Sequence, residues 1–361
     1  EVIRVVEEYY SQKMRPASGV KTGQYPLPRE QHAYPWQHEG ALDPFELSTA
    51  AQSSQAAGAT LHTAIADRHA FEACMHTLAR GKAPGPDGIL NEVLQLLPSA
   101  AKDAIHALFQ IMWATSCTPN AWKESLTVLL YKNKGSPLQL KFYRRIGLEN
   151  TLYKLWTRLV TWGMADFAER HNLLSGTQAG FRGKRTTADQ IELLATVLED
   201  AQSTGQDIYL MMVDFSEAFD TLDHDKLLTI LYHLGYPTDG IEVVKQLYTG
   251  ASTVIRTPVG STCPIPIDRG TIQGDSLSPF LFINYLEPLL RWLRVGARGY
   301  TPGLLKQEGR VTPERDQIAD ITYADDLNLL TNEASRLQLQ ASKVTKYSDW
   351  AHLVPNATKL C

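Results

Sequence analysis

The stretch Ile321-Thr322-Tyr323-Ala324-Asp325-Asp326-Leu327-Asn328-Leu329-Leu330 sets two adjacent carboxylates between apolar, β-favouring flanks. That pattern predicts strand, tight turn, strand, with the turn at Ala324-Asp325-Asp326. Neighbouring acids at a hairpin tip repel each other, and a cation shared with a third acid would offset the cost. A candidate third acid closes the run Ile208-Tyr209-Leu210-Met211-Met212-Val213-Asp214-Phe215. Its continuous apolar character predicts a strand buried on both faces. A carboxylate at the end of such a strand is costly unless it is paired or metal-bound. Laid beside the hairpin, this strand would bring Asp214 near Asp325 and Asp326. A small set of hard oxygen ligands suits Mg²⁺, which keeps several waters and takes substrate phosphates as further ligands. An isolated Asp-Asp pair is more often a solvated turn, so the wider pattern decides.

Other strings with unusual backbone or charge lie around these two. Lys82-Ala83-Pro84-Gly85-Pro86-Asp87-Gly88-Ile89 packs two prolines and two glycines before Ile89, which predicts a rigid, non-helical elbow. Ser125 to Tyr131 and Phe142-Tyr143-Arg144-Arg145-Ile146 predict an antiparallel hairpin with a basic tip at Lys132-Asn133-Lys134-Gly135. From 131 to 190 eleven Lys or Arg stand against four Asp or Glu, inside a chain of net charge −4. A solvated face would interleave the signs, so this local excess fits a polyanion surface better. Gln178-Ala179-Gly180-Phe181-Arg182-Gly183-Lys184-Arg185-Thr186-Thr187 joins glycines, which let backbone approach a ligand, to cations that can face phosphates. Arg269-Gly270-Thr271-Ile272-Gln273-Gly274-Asp275-Ser276-Leu277-Ser278-Pro279 predicts an unusual loop running into a helix start.

Taken together, these strings identify a resemblance. Tyr323-Ala324-Asp325-Asp326 resembles the Tyr-x-Asp-Asp box of reverse transcriptases. Asp214-Phe215-Ser216-Glu217-Ala218-Phe219-Asp220-Thr221 resembles their first carboxylate box in the form found in non-LTR (LINE-type) retrotransposons. The Lys82 string, the Tyr-Arg segment at Arg144, the Gln178 string, the Gly270 string and Leu353-Val354-Pro355-Asn356-Ala357-Thr358-Lys359 resemble further boxes of that family. Seven such strings stand in family order across about 68–361. Departures are Arg145 and Gly147 where the family usually has Pro and Ser, and His352 in place of Gly.

The resemblance implies an α+β right-hand polymerase, with fingers over about 68–205 and a palm of antiparallel sheet and packing helices over about 206–361. The thumb would be largely missing, and residues 1–67 would form a helix and an irregular extension. The implied reaction is RNA-directed DNA synthesis from a primer 3′-OH. Asp214 and Asp325 would hold two Mg²⁺ (Mn²⁺ as a substitute) about 3.5–4 Å apart, with the Phe215 carbonyl and Asp326 in support. Arg144 matches the arginine on the incoming triphosphate, where a planar, always-charged fork suits phosphate, and Lys132 is a second phosphate candidate. Phe219 matches the ring that closes the sugar pocket against a 2′-hydroxyl. Gln273 and Phe215 would line the nucleotide site. Gly180, Phe181, Arg182, Lys184, Arg185, Gly274 and Tyr323 would meet template and primer. Lys359 matches a lysine proposed to protonate pyrophosphate. Partners would be an RNA template, a DNA or RNA primer and dNTPs. A maturase-like or telomerase-like polymerase and an inactive RNA-binding relic are the rivals. The Asp214 and Lys82 boxes favour the retrotransposon, and the intact Asp214, Asp325 and Asp326 argue against the relic.

Composition is compatible with this. The 361 residues, 43% hydrophobic, suffice for a sizeable core in two or three subdomains. Cys74, Cys117, Cys263 and Cys361 are far apart, which predicts reduced thiols in an intracellular protein without a zinc site, and the resemblance implies nucleus or cytoplasm. No apolar run reaches membrane-spanning length, so no membrane contact is expected. The chain opens at Glu1 without Met, as a segment of a longer protein would, and any endonuclease region would belong to that parent.

Helical periodicity predicts Glu1 to Met14, with Val2, Val5, Val6 and Tyr9 on one face. Further helices are expected at His69 to Gly81, Asn91 to Leu97, Ala101 to Ser116, Thr151 to Ala168, Phe280 to Val295 and Ala334 to Ala351. Thr187 is expected to cap a helix reaching about Ala201, and Asp223 one over His224 to Leu234. Short helices are expected near Asp43 and Ser48, and a loop or loose hairpin over Gly296 to Pro313.

Overall fold

The computed structural model of the protein describes residues 1–17, 34–39, 45, 59–272, 274–296, 299–303 and 317–356. Its helices are α1 (Val2–Lys13), α2 (His62–Ala66), α3 (Arg68–His76), α4 (Asn91–Gln95), α5 (Ser99–Thr115), α6 (Thr151–Arg170), α7 (Thr187–Thr204), α8 (Ala218–Thr221), α9 (His224–Leu234), α10 (Thr238–Tyr248), α11 (Leu277–Arg294) and α12 (Ala334–Ala351). Its strands are β1 (Glu124–Tyr131), β2 (Tyr143–Leu148), β3 (Tyr209–Val213), β4 (Ser252–Thr257), β5 (Gly260–Ser261), β6 (Ile265–Pro266), β7 (Asp320–Tyr323) and β8 (Asp326–Thr331). Most of Gly296 to Pro313, Asp43, Ser48, Gln273 and Lys359 lie outside the described residues.

The chain divides into two compact units, each assembled from separated segments. The first comprises Glu1–Arg29, Gln52–His171 and Asp223–Ser278; the second comprises Glu30–Ala51, Asn172–Leu222 and Pro279–Cys361.

In the first unit the expected hairpin is present. β1 and β2 pair antiparallel from Leu126↔Leu148 to Tyr131↔Tyr143. The sheet then extends through a partner that local periodicity does not show. β4 lies parallel to β1, from Glu124↔Ser252 to Val128↔Arg256, and carries β5 and β6. Helix α1 covers this sheet with half of the expected face: Val6 and Tyr9 pack on it, and Val2 and Val5 do not. Val2 and Val5 are about half exposed, whereas Val6, Tyr10 and Met14 pack on Ala251, Ile255, Ile265 and Ile267. The i, i+4, i+8 stripe wins because these side chains stack above one another on a helix. Each such apolar side chain contributes about 1.5–3 kcal/mol when fully buried. The predicted elbow is docked rather than free. The Thr151 N–H donates to Asp87 Oδ2 at 2.8 Å, and the Asp87 N–H donates to Asn150 Oδ1 at 3.0 Å. A carboxylate on the first N–H groups of α6 is favourable there.

In the second unit β3, β8 and β7 form a three-stranded antiparallel sheet, with β8 central. The expectation that β3 is buried on both faces is corrected, because it is an edge strand. Tyr209 is 37% and Met212 49% exposed, while Val213 is buried. An apolar run does not distinguish an edge from a centre, which is set by what pairs on each side. Tyr300, Ile321 and Leu330 with Val197 and Ala201 of α7 make a core on one side. The cap of α7 is Thr186, one residue before the predicted Thr187. Its hydroxyl accepts from the Asp189 N–H, and Asp189 accepts from the Thr186 N–H, a capping box. Back in the first unit, Asp223 caps α9 as expected, accepting from Asp225 and Lys226 N–H.

Candidate active site

The β7–β8 hairpin turns in two residues, with Tyr323 opposite Asp326 and Ala324-Asp325 between them. Asp326 therefore opens β8 rather than sitting in the turn. Ala324 takes a positive φ of 57°, an uncommon conformation for a residue with a Cβ. β3 pairs with β8 from Tyr209↔Thr331 to Val213↔Leu327. One step further in that register, Asp214 comes level with Asp326 and next to Asp325. Asp214 and Asp325 are half-buried and Asp326 is exposed. The register thus directs the backbone of all three acids to the same end of the sheet.

Two segments far away in sequence hold these acids. Residues 354–356 run antiparallel beside Asp214. Phe215 bridges Pro355, the Ser216 N–H donates to the Val354 carbonyl at 2.8 Å, and the Asn356 N–H donates to the Asp214 carbonyl at 2.7 Å. The Asn356 side-chain amide also donates to Asp214 Oδ2 at 3.1 Å. Sequence reasoning quoted Asn356 in its box but gave it no role. Preceding it, α12 ends at His352 with φ 55° and ψ 27°, a left-handed cap where glycine is the easy choice.

The second segment is the Gln178 string. The Ala179 N–H donates to the Thr322 carbonyl at 3.0 Å, and the Thr322 N–H to the Thr177 carbonyl at 3.2 Å, tying the loop to β7. A Cβ on Gly180 would stand 2.3 Å from the Ala324 nitrogen, so only glycine allows this approach. Arg182 donates to the Ser175 and Gln178 carbonyls at 2.6 and 3.1 Å, and Arg185 to the Gly176 carbonyl. These guanidiniums brace their own loop, a role that charge counting does not reveal. Lys184 is exposed with φ 62°, and Phe181 is exposed with φ 57°. Phe219, half-buried in α8, packs on Phe282 at 4.9 Å and edge-on to Phe181 at 6.4 Å.

The first unit carries the other candidates. Arg144 is exposed on β2, opposite Leu130. Lys132 follows β1, and its Nζ donates to the Lys141 carbonyl at 3.3 Å. Gly274 has φ 124°, and a Cβ there would meet the Gly147 carbonyl at 2.8 Å, so this loop packs on the strand that bears Arg144.

Beside it lies a buried acidic pair that sequence reasoning did not single out. Burial pushes the Asp275 carboxyl up to about 6, although the Thr157 hydroxyl and the Leu277 and Ser276 N–H groups donate to it. Burial, with the Asp275 charge adding to it, pushes Glu149 well above the carboxylate range, against the pull of Lys154. Neither Glu149 oxygen has a hydrogen-bond partner, so the neutral acid is the form that costs least there.

Among the described residues no three His, Cys, Asp or Glu are grouped to hold a metal by themselves. Two half-buried carboxylates on adjacent strand ends are nonetheless a donor set that Mg²⁺ accepts, because waters and substrate phosphates complete its octahedron. No described helix is long and apolar enough to cross a membrane.

Residues 131–361 match the family described as reverse transcriptase (RNA-dependent DNA polymerase). The chain is 26% identical over 260 residues to a probable RNA-directed DNA polymerase from transposon BS of Drosophila melanogaster, covering 71% of this chain and 27% of that protein. It is 25% identical over 273 residues to a Pol polyprotein from type-1 retrotransposable element R2 of Nasonia vitripennis, covering 76% of this chain and 24% of that one. It is also 25% identical over 257 residues to the RNA-directed DNA polymerase from mobile element jockey of Drosophila melanogaster, covering 71% and 26%. The chain spans about a quarter of the length of these relatives. It belongs to the reverse transcriptase family.

Proposed function

We propose that the chain is the polymerase core of a retrotransposon protein, adding deoxynucleotides to a primer 3′-OH on an RNA template. The observation that carries this reading is the β3–β8 register, which brings Asp214 level with Asp326 and beside Asp325. The β3-β8-β7 sheet is the catalytic part of a palm, and the β1–β2 hairpin is part of the fingers. Asp214 and Asp325 bind divalent cations, with the Phe215 carbonyl and Asp326 contributing to the same site. Bound Mg²⁺ supplies Lewis acidity for the attacking hydroxyl and the leaving pyrophosphate.

The chain's own residues do the rest. Asp214 and Asp325 fix the site at which the reacting oxygens gather. Arg144 takes a triphosphate oxygen pair with its fork, and Lys132 adds a second cation. Phe219 closes the sugar pocket and rejects a 2′-hydroxyl. Tyr323, Phe181, Lys184, Gly274 and Gln273 contact template, primer or the base pair, and Lys359 is the proton donor to pyrophosphate. The protein acts inside the cell.

Extension of a primer on an RNA template with dNTPs and Mg²⁺ tests this. Template-dependent products that vanish in Asp214→Ala are expected. A chain that binds RNA but never extends a primer would be the inactive relic instead.

A further inference from the structure

Gln178 is fully buried, and most of its amide serves one turn. Its Oε1 accepts from the Ala324 N–H at 2.8 Å and from the Gly180 N–H at 2.8 Å, while Nε2 donates to the Ala324 carbonyl at 3.2 Å. A primary amide carries donor and acceptor together, so it can answer both backbone groups of one residue. Ala324 needs such holding. Its φ of 57° lies where a Cβ crowds the backbone, and such residues persist only where the surroundings over-determine them.

The loop that delivers Gln178 is itself anchored. The Ser175 N–H and hydroxyl donate to the Glu287 carboxylate at 2.9 and 2.6 Å, and Arg291 Nε donates to the same carboxylate at 2.9 Å. Arg294 donates to Ser175 Oγ at 2.8 Å and reaches Thr177 and the buried Asp320. Helix α11 thus anchors the loop, the loop holds Gln178, and Gln178 grips the residue just before Asp325.

We propose that Gln178 is a positioning residue: it locks the Ala324 turn and so sets the direction in which Asp325 offers its carboxylate to a divalent cation. This rests on the reading of Asp214 and Asp325 as the cation-binding pair. Gln178 acts through backbone alone. Without its amide the turn can relax toward negative φ, which re-aims the next side chain while leaving the strands paired.

The test uses the full chain with Mn²⁺ as the probe. Gln178→Met keeps the length of the side chain and loses all three hydrogen bonds, whereas Gln178→Asn keeps the amide but shortens its reach. Electron paramagnetic resonance measures bound Mn²⁺, with Asp325→Asn as the blank. Thermal unfolding reports the fold, and primer extension gives kcat and primer KM. Loss of the amide's grip predicts Mn²⁺ affinity about tenfold weaker in Gln178→Met and about fivefold weaker in Gln178→Asn. A matching fall in kcat and an unchanged primer KM are expected, with the Tm of Gln178→Asn within about 5 °C of the parent. If Gln178→Met fails to fold, the Asn variant alone decides. Mn²⁺ affinity that is unchanged or higher in the folded variants, with kcat unchanged, overturns the proposal. A parent chain that binds Mn²⁺ at Asp325 but extends nothing sinks the polymerase reading while the affinity comparison still judges the clamp. A parent that binds no Mn²⁺ overturns the clamp.

Discussion

The side-chain amide of Asn356 donates to Asp214 Oδ2 at 3.1 Å, 142 residues away in sequence. Its backbone N–H holds the Asp214 carbonyl in addition. One carboxylate oxygen is thereby oriented, and the backbone that carries it is pinned. A hydrogen bond to a charged group contributes about 1.5–3 kcal/mol, or tenfold to hundredfold in rate if it is needed for positioning. Asn356→Leu is therefore expected to cut kcat by about that factor, with primer KM unchanged. Single-nucleotide incorporation measures both, and a kcat equal to that of the parent would make Asn356 a packing residue only.

Gly180→Ala places a Cβ 2.3 Å from the Ala324 nitrogen, against backbone that cannot rotate away. The loop must lift off β7. Overpacking of this kind costs about 1–3 kcal/mol. Both a lower Tm and a large loss of extension are expected, because the displaced turn carries Asp325. A variant with parental Tm and parental rate would show that the loop gives way harmlessly.

The charged groups behave differently from what their number implies. Arg182 and Arg185 brace their own loop, so reversing them should lower Tm as well as any affinity. Lys134, Lys141 and Arg144 are exposed at the β1–β2 hairpin. Reversing Lys134 and Lys141 should weaken binding to an RNA–DNA duplex with unchanged Tm. If both touch phosphates, the log–log salt slope should flatten by about 1.4–1.8. An unchanged slope would leave the hairpin an ordinary solvated surface. Arg144→Ala should instead raise the KM for dNTP with little change in duplex affinity.

Asp275 and Glu149 make stability depend on pH in a definite direction. Folding raises both above their ordinary values, Asp275 to about 6. Above about pH 4 the unfolded chain has released protons that the folded chain keeps, so stability falls as pH rises through the Asp275 value. Glu149 extends that loss to higher pH. Glu149→Gln cannot ionise, and it should flatten the fall of Tm measured from about pH 5 to pH 8. A slope identical to that of the parent would mean that Glu149 does not titrate there.

The acidic hairpin was legible because its signal is local. Alternating apolar residues around two adjacent acids specify strands and a turn, and Asp214 ends the other apolar run. Asp223 and the elbow at Asp87 were legible for the same reason. What escaped depends on partners distant in sequence. Nothing near Gln178 says that its amide meets Ala324, nor does Glu149 announce its burial beside Asp275. The parallel pairing of β1 with β4 and the edge position of β3 are likewise set by assembly. Helix α1 was found but its inward stripe was misjudged, since Val2 and Val5 are as apolar as Val6. For α7 the capping box with Asp189 distinguishes Thr186 from Thr187, a cue that was present and not used.

On the proposed reading Asp214 and Asp325 serve one cation-dependent catalytic site. The most direct measurement is primer extension on an RNA template by the parent, Asp214→Asn and Asp325→Asn, with Mg²⁺ titrated and thermal unfolding run in parallel. Both variants are expected to fold, each to lose more than about a hundredfold in rate, and the double variant to be no worse than either single one. Either variant extending primers near the parental rate would contradict that reading.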